Sequence, residues 1–246
     1  MNFWSLFYNI LIVPLGWLAF HLLSFFDKKV KRGIDGRRIL FENLQRDVLK
    51  LKPNAKRVWF HSSSMGEFEQ AKPIIAELKK RHPEVEVVVS FFSPSGYDHS
   101  KNYKLADVIC YLPFDSKRNA ERFLSIIQPT VAVMVRYDVW PNHLWELKRK
   151  NTPVFIANAT FRKHWSKNLP FFHQFFFDVY NSIDYIFTVS EKDKNGFQEF
   201  ELLHPLIEAI GDTRFDQVWR RSAESLNRHV LPNHVIAGKK VLVIGS

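Results

Sequence analysis

The chain has little cysteine and lacks the common motifs for binding phosphates or metals. Cys110 is the only cysteine in 246 residues, which excludes an intramolecular disulfide and is typical of a reducing compartment. No G-x-G-x-x-G or G-x-x-x-x-G-K-[ST] pattern occurs, which excludes the usual dinucleotide and P-loop cradles. The histidines show neither H-x-x-x-H nor H-E-x-x-H spacing. We therefore predict no metal and no cofactor.

Positive charge is concentrated in one part of the chain. The net charge is +10, and half of it comes from the segment Lys28 to Arg38, which has one acid, Asp35, and six basic residues: Lys28, Lys29, Lys31, Arg32, Arg37 and Arg38. This block directly follows the most apolar stretch of the chain. Such a position favours anionic lipid head groups as partners and argues against nucleic acid.

That apolar stretch predicts a membrane anchor over residues 1–27. Phe3 to Phe26 contains no charged residue, and as a helix it would be about 36 Å long against a hydrocarbon thickness of about 30 Å. Pro14 and the polar Asn9 leave open a second picture, in which the helix is inserted obliquely. The basic residues on its carboxyl side predict that the rest of the chain is cytoplasmic.

The remaining chain alternates between apolar runs of strand length and helical patterns. Residues 28–56 are predicted to form a basic connector followed by a helix from Ile39 to Leu51, and residues 57–220 a Rossmann-like domain. Strands are predicted at Arg57–His61, Val85–Phe92, Asp107–Leu112, Thr130–Tyr137, Thr152–Ala159, Tyr185–Val189 and Leu206–Ile210. Helices are predicted between them, at Glu67–Arg81, Ser116–Ile127, His143–Lys150, Lys163–Asn181 and Glu191–Phe200. This order predicts an α/β fold with a parallel sheet and helices on both faces.

The end of the sequence predicts the start of a second domain. Residues 221–238 are polar and irregular, as in a linker, and residues 239–246 then form a new apolar run that ends at Gly245-Ser246. We expect this run to be the first strand of a second, truncated α/β domain.

The motif around which the domain is arranged is His61-Ser62-Ser63-Ser64-Met65-Gly66-Glu67. It follows a predicted strand and opens a predicted helix, which places Glu67 in the first helical turn at the carboxyl end of the sheet. Ser64-x-x-Glu67 is a capping box. The same position, at the positive end of the helix dipole, suits an ionised general base. Spacing alone favours the cap and leaves the base open.

Four other segments follow predicted strands. Ser93-Pro94-Ser95-Gly96-Tyr97 is expected to be a turn whose amides can also bind a phosphate or a sugar hydroxyl. In the segment Arg136 to Asn142, Asp138 either caps a helix or contacts a ligand, and Trp140 is a packed aromatic or a platform for a ligand. Arg162 and Arg214 are either solvated surface residues or residues that bind a phosphate through two guanidinium N–H groups.

Taken together, the strand-end motifs resemble those of the 3-deoxy-D-manno-octulosonic acid (Kdo) transferase family of lipopolysaccharide assembly. The resemblance covers essentially the whole chain and rests on His61–Glu67, Phe91–Tyr97, Asp138–Asn142 and Gly211–Asp216. It implies the amino-terminal half of a GT-B fold, which binds a lipid A precursor at the cytoplasmic face of the inner membrane. The donor CMP-Kdo would be held mostly by the second domain.

The resemblance also implies roles for individual residues. Glu67 would be the general base of an inverting transfer. Arg214 would contact the donor. The acceptor would be bound by Ser63, Ser64, Gly66, Ser93, Ser95, Gly96, Arg136, Asp138 and Trp140. Two alternatives stay open from the sequence: a GT-B enzyme that uses a UDP-sugar on a lipid acceptor, and a membrane module that binds lipid phosphates without catalysis.

Overall fold

Seven parallel strands form one sheet in the order β3-β2-β1-β4-β5-β6-β7. The computed structural model describes residues 3–161, 170–225, 237–239 and 242. The strands are β1 (Arg57–Ser62), β2 (Glu86–Phe91), β3 (Val108–Tyr111), β4 (Val131–Val135), β5 (Val154–Ala159), β6 (Tyr185–Thr188) and β7 (Leu206–Ala209). Each predicted strand is confirmed, with ends that differ by at most two residues.

Helices cover both faces of this sheet. Those that follow β1 are α5 (Met65–Arg81), α6 (Pro94–Ser100), α7 (Lys117–Ile127), α8 (Pro141–Arg149), α9 (Pro170–Tyr180), α10 (Glu191–Gln198) and α11 (Arg214–Ser225). Trp59 and Phe60 are neighbours on β1 and point to opposite faces, as the pleat requires. Trp59 lies in a core with residues of α7, α8 and α10, whereas Phe60 packs with Phe68 and Ile75 of α5. The predicted Rossmann-like architecture is confirmed.

Helical structure extends beyond the predicted segments in three places. The expected turn Ser93–Tyr97 is instead the start of α6, whose first amides are capped by Ser93. The basic connector forms α3 (Lys28–Arg38), capped by Asp27, and the helix predicted after it is confirmed as α4 (Leu40–Val48). Helix α11 ends at Ser225, five residues inside the predicted linker. The strand predicted at 239–246 lies outside the described residues except for Lys239 and Leu242, so the division into domains stays a prediction.

The N-terminal helix, Phe3–Leu23, is long and apolar enough to cross a membrane. It consists of α1 (Phe3–Phe7), a π-helical turn (Tyr8–Ile12) and α2 (Val13–Leu23). The two polar residues of the π-helical turn bind the domain: the Tyr8 hydroxyl donates to Asp115 over 3.0 Å, and Asn9 Nδ2 donates to Asn142 Oδ1 over 2.7 Å. The helix is therefore joined to the domain by specific contacts.

Arg37 differs from the rest of the basic block because it is buried. Its guanidinium donates to the carbonyl oxygens of Gly33, Leu112 and Phe92 over 2.6–2.8 Å and lies over aromatic rings. Burial lowers the pKa of Arg37 to about 10. The prediction that Arg37 faces lipid head groups is therefore wrong; this side chain joins α3 to the ends of β2 and β3. By contrast, Lys28, Lys29 and Lys31 are exposed.

Candidate functional site

The site lies at the carboxyl edge of the sheet, between β1 and β4. Chain order along the sheet reverses at this pair, since β2 and β3 lie on one side of β1 and β5 to β7 lie beyond β4. In open parallel sheets the connections after two such strands diverge to opposite faces and leave a crevice where ligands bind. The motif after β1 and the segment after β4 therefore face each other across this switch-point crevice.

Asp138 connects the two sides of the crevice. Its carboxylate accepts a short hydrogen bond from the Ser63 hydroxyl, and its Oδ2 lies 2.7 Å from Nε2 of His61, a residue with no exposed surface. Burial alone would raise the pKa of Asp138, but the electrostatic attraction and hydrogen bond of the Nε2–H group of His61, with bonds from Ser63 and Trp140, hold the pKa below its ordinary value. Asp138 is therefore an ionised group fixed in place by donors from β1 and from its own loop.

The hydrogen-bond network around His61 determines its tautomer. Ser90 Oγ accepts from the Trp59 indole over 2.8 Å, so its own hydrogen is free to bond His61 Nδ1, also 2.8 Å away. His61 then carries its hydrogen on Nε2 and donates it to Asp138. Trp140 Nε1 lies 2.9 Å from the same nitrogen, which cannot accept while it donates, so the indole hydrogen goes to Asp138.

Glu67 lies at the beginning of α5 and forms the capping box expected from its spacing. The backbone amide of Ser64 donates to Glu67 Oε2 over 2.8 Å, and the Ser64 hydroxyl lies 3.0 Å from the same oxygen. Glu67 is buried, with 6% of its surface exposed at the start of the helix. The cap explains its position, and it leaves the second oxygen, Oε1, free of both bonds from Ser64.

The segment after β2 packs against this helix start. Ser93 N donates to the carbonyl of Ser63 over 2.8 Å, and Ser93 Oγ lies 3.1 Å from Ser95 Oγ. Gly96 leaves no room for a side chain, since an added Cβ would lie 3.2 Å from the Ser64 carbonyl carbon and 2.6 Å from the Phe91 ring. A close backbone approach therefore requires glycine at this position, and it places both serine-rich loops side by side.

The charges of Arg136 and Arg214 both act on one carboxylate, that of Asp212. Asp212 is bound by the guanidinium of Arg214, and the charge of Arg136 acts on the same carboxylate. Burial would raise the pKa of Asp212, but these arginines hold it below its ordinary value. Arg136 has a positive φ of 68°, a backbone conformation that non-glycine residues seldom adopt and that clusters at functional sites.

A second buried pair supports the loop after β4. His143 Nδ1 lies 2.6 Å from Asp115 Oδ1, and Asp115 also accepts from the backbone amides of Asn142 and His143 and from the Tyr8 hydroxyl. This pair holds the start of α8, which follows Trp140. Among the described residues, no group of three or more His, Cys, Asp and Glu side chains is arranged to hold a metal ion.

Residues 37–217 match the family described as "3-Deoxy-D-manno-octulosonic-acid transferase (kdotransferase)". This match includes the whole sheet and every residue of the switch-point crevice named above. The chain belongs to the Kdo transferase family. The resemblance of its strand-end motifs to that family is thereby confirmed.

Curated relatives of this Kdo transferase family chain are longer than it is. A 3-deoxy-D-manno-octulosonic acid transferase of Haemophilus influenzae is 27% identical over 161 residues, which cover 63% of the chain and 36% of that protein. One from Aquifex aeolicus is 31% identical over 122 residues, which cover 48% of the chain and 33% of that protein. A bifunctional glycosyltransferase/methyltransferase of Fusobacterium nucleatum is 23% identical over 228 residues, which cover 90% of the chain and 34% of that protein. The chain thus spans about a third of each relative.

Solved structures confirm the fold of this chain. A putative UDP-N-acetylglucosamine 2-epimerase from Listeria monocytogenes superposes with a TM-score of 0.54 at 15% identity, over 75% of this chain and 51% of that one. The UDP-GlcNAc 2-epimerase from Neisseria meningitidis bound to UDP-GlcNAc superposes with a TM-score of 0.51 at 14% identity, over 70% of this chain and 50% of that one. At such identities the likeness is one of fold, as expected of the amino-terminal half of a GT-B arrangement.

The structure brings most of the predicted site residues to one edge of the sheet. The loops and first helical turns that follow β1, β2 and β4 contain Ser63, Ser64, Gly66, Glu67, Ser93, Ser95, Gly96, Asp138 and Trp140. Arg214 pairs with Asp212 instead, and the charge of Arg136 acts on the same carboxylate. Arg162 lies outside the described residues.

Sequence reasoning assigned no role to His61 or Ser90. Both are polar residues within buried strands, and their Cα atoms are direct neighbours in the register of β1 and β2. Buried polar side chains on apolar strands are the signal that could have identified them, once the two strands are known to pair.

Proposed function

We propose that this chain is the acceptor-binding part of an inverting Kdo transferase of lipopolysaccharide core biosynthesis. The protein would transfer Kdo from CMP-Kdo to a lipid A precursor at the cytoplasmic face of the inner membrane. Membership of the family supports Kdo as the sugar that is transferred. The observation that carries the acceptor assignment is the switch point, where Asp138 and Glu67 are bound to the neighbouring residues Ser63 and Ser64. An apolar helix with a basic flank packs against Phe92 at the same edge of the sheet.

Glu67 is the proposed general base. Both bonds from Ser64 reach Oε2, so Oε1 can take the proton of the acceptor hydroxyl as that oxygen attacks the anomeric carbon of Kdo. The bond from that carbon to the CMP oxygen breaks on the opposite side, and the configuration inverts. The start of α5 favours the ionised carboxylate that this step requires.

Asp138 is the proposed positioning group for the acceptor. It is ionised and its acceptor capacity is largely used by His61, Ser63 and Trp140, so it cannot serve as a second base without breaking these bonds. Its role would be to hold the Ser63 hydroxyl and the indole ring of Trp140 where a sugar can contact them.

The phosphates of the acceptor have two groups of partners at this edge. One group is formed by the side chains of Ser93 and Ser95 with the amides near Gly66, and the other by Arg136, whose charge acts on Asp212. Arginine binds phosphate through a planar, two-pronged contact. Arg214 is the proposed contact to the donor.

Donor assays on the full-length gene product test this function. The protein is incubated with a lipid A precursor and with either CMP-Kdo or a set of UDP-sugars, and products are identified by mass spectrometry. We expect a product only with CMP-Kdo. Transfer from a UDP-sugar would show that the donor is not CMP-Kdo. Binding of the lipid without any product would support a non-catalytic module.

A further inference from the structure

The N-terminal helix lies along the domain over most of its length. Near its start the Trp4 ring packs 4.8 Å from the ring of Phe171, and near its end Phe20 packs 5.4 Å from both Phe92 and Phe114. Residues 4 to 20 of a helix span about 24 Å. A helix that contacts the same domain at both ends of this distance lies across the carboxyl edge of the sheet and does not project away from it.

A cavity of about 600 Å³ separates the middle of this helix from the sheet. Most of its lining is apolar: Ile12, Val13, Pro14, Gly16, Trp17 and Phe20 from the helix, and Phe92, Phe114 and Trp140 from the domain. Tyr8, Asp115, Ser116 and Asn119 form its polar part. The volume falls in the range of about 300–1,000 Å³ that is typical of ligand pockets.

One wall of this cavity is shared with the switch-point crevice. The rings of Phe92 and Trp140 pack 4.6 Å apart, and the Trp140 indole bonds to Asp138 on the other side of the ring system. A molecule in the cavity would therefore have its end close to the proposed acceptor residues.

The outer face of the same helix indicates what reaches the cavity. Leu11, Leu15, Leu18 and Leu22 form an exposed stripe at helical spacing. Phe25 and Phe26 are 81% and 89% exposed, directly before the basic residues of α3. Exposed leucine and phenylalanine side chains next to lysines are typical of a helix that lies in the membrane interface. The cavity beneath this helix then opens at the level of lipid chains.

We propose that the cavity binds one acyl chain of the lipid acceptor. The proposal rests on the proposed function, since it takes the acceptor to be a lipid. An apolar lining offers a sugar or a nucleotide few hydrogen-bond partners, whereas a hydrocarbon chain requires none. An acyl chain held here would place the attached sugar beside Asp138 and Ser63, and the enzyme would bind acylated acceptors better than deacylated ones.

Gly16 allows a specific test. A Cβ added at Gly16 meets no atom within 4 Å, so Gly16→Phe should fill the cavity without a clash. The matched control is Leu15→Phe, on the outward stripe one residue away. The full-length protein in detergent is irradiated with a lipid A precursor that carries a diazirine in one acyl chain, and crosslinked peptides are identified by mass spectrometry.

We expect crosslinks to peptides containing Phe92 or Phe114, reduced at least tenfold in Gly16→Phe and unchanged in Leu15→Phe. Crosslinks confined to the outward leucines, or equal in both variants, would overturn the proposal. Equal labelling of the cavity by a diazirine phosphatidylethanolamine would show a site for bulk lipid and would also overturn it. Crosslinking does not require transfer, so a failure of wild-type transfer counts against the proposed function alone.

Discussion

His61 Nε2 lies 2.7 Å from Oδ2 of Asp138, and the two residues come from opposite sides of the switch point. The side chain of His61 points from the central strand, and Asp138 lies on the loop that leaves the neighbouring strand. Their contact joins the two sides of the switch point, because movement of either group would break a hydrogen bond in a buried environment.

Replacement of Asp138 by Asn should destabilise the fold. Ser63 and His61 both donate to Oδ2 of Asp138, so asparagine must offer them either an uncharged oxygen or an NH₂ group that faces two donors, and we expect a loss of about 1–3 kcal/mol in the free energy of unfolding at pH 7. The native pKa of Asp138 is depressed, so its contribution is complete above the ordinary aspartate value of about 3.9 and is lost as pH falls through the lower native value. Urea unfolding at pH 7, 5 and 3 measures this.

The control for that experiment is Asp35→Asn, which removes a surface carboxylate paired with Arg38. It should change the free energy of unfolding by less than about 0.5 kcal/mol. A loss in Asp138→Asn that stays equally large at pH 3, or that is no greater than in the control, would contradict an ionised and paired Asp138.

Glu67→Gln tests the role of Glu67 as general base separately from its role in capping α5. Glutamine serves as well as glutamate in a capping box, so this variant should keep its free energy of unfolding within about 0.5 kcal/mol, whereas Glu67→Ala should lose about 1 kcal/mol. Transfer from CMP-Kdo should fall by about 10²–10⁴-fold in both variants of the full-length protein. Glu69→Gln, two residues further along α5, is the control and should retain transfer. A folded and active Glu67→Gln would remove the base from the mechanism.

Gly96→Ala should disturb the contact between the two serine-rich loops. Its added Cβ would lie 2.6 Å from the Phe91 ring and 3.3 Å from the Met65 amide nitrogen, and we expect a loss of about 1–3 kcal/mol. Gly66→Ala is the matched case in the first turn of α5, where the nearest atom is 4.0 Å away. It should be neutral or stabilising by up to about 1 kcal/mol. Denaturant unfolding of both variants compares them, and equal stabilities would contradict the close approach at Gly96.

Phe25 and Phe26 should anchor the protein to membranes. Replacing both with Ser removes two large exposed rings, each worth about 1.5–3 kcal/mol when buried in lipid, so partition into anionic vesicles should fall by at least about tenfold. Salt should weaken the partition of the wild type, because Lys28, Lys29 and Lys31 each contribute about 1 kcal/mol near an anionic surface. Vesicle flotation measures both effects.

Leu203→Ser provides the comparison for that experiment. Leu203 is 87% exposed and lies between α10 and β7, on a different part of the chain from the anchor. Its replacement should leave partition unchanged. An equal fall in the two variants, or a partition that salt does not alter, would contradict the assignment of this membrane-binding surface.

The strands could be predicted because parallel strands covered on both faces are continuous apolar runs. Val131 to Val135 is such a run, and it proved to be β4 beside the central strand. Helix α6 could not be predicted in this way, since its seven residues contain proline and glycine and are too few to show a helical period. Its helical start depends on the cap by Ser93 and on contact with the helix start at Ser64.

The hydrogen-bond partners of buried polar residues could not be predicted from the sequence. Arg37 resembles its basic neighbours in the sequence, and its burial follows from the carbonyl oxygens of Leu112 and Phe92, which are distant along the chain. Likewise, the His61–Asp138 pair depends on the adjacency of β1 and β4, which follows from topology and not from local pattern. Composition predicted a lipid-facing helix, whereas its contacts along the domain required coordinates.

The strand order has a consequence for the newly made protein. Strands β1 to β3 can pair with one another as soon as residues up to Tyr111 have left the ribosome, but the loop that carries Asp138 follows β4, which is made later. The apolar helix Phe3–Leu23 is made before these strands and can reach the lipid surface while they are still being synthesised. A nascent chain would thus be able to settle on the bilayer before it has any pocket in which a lipid sugar could react.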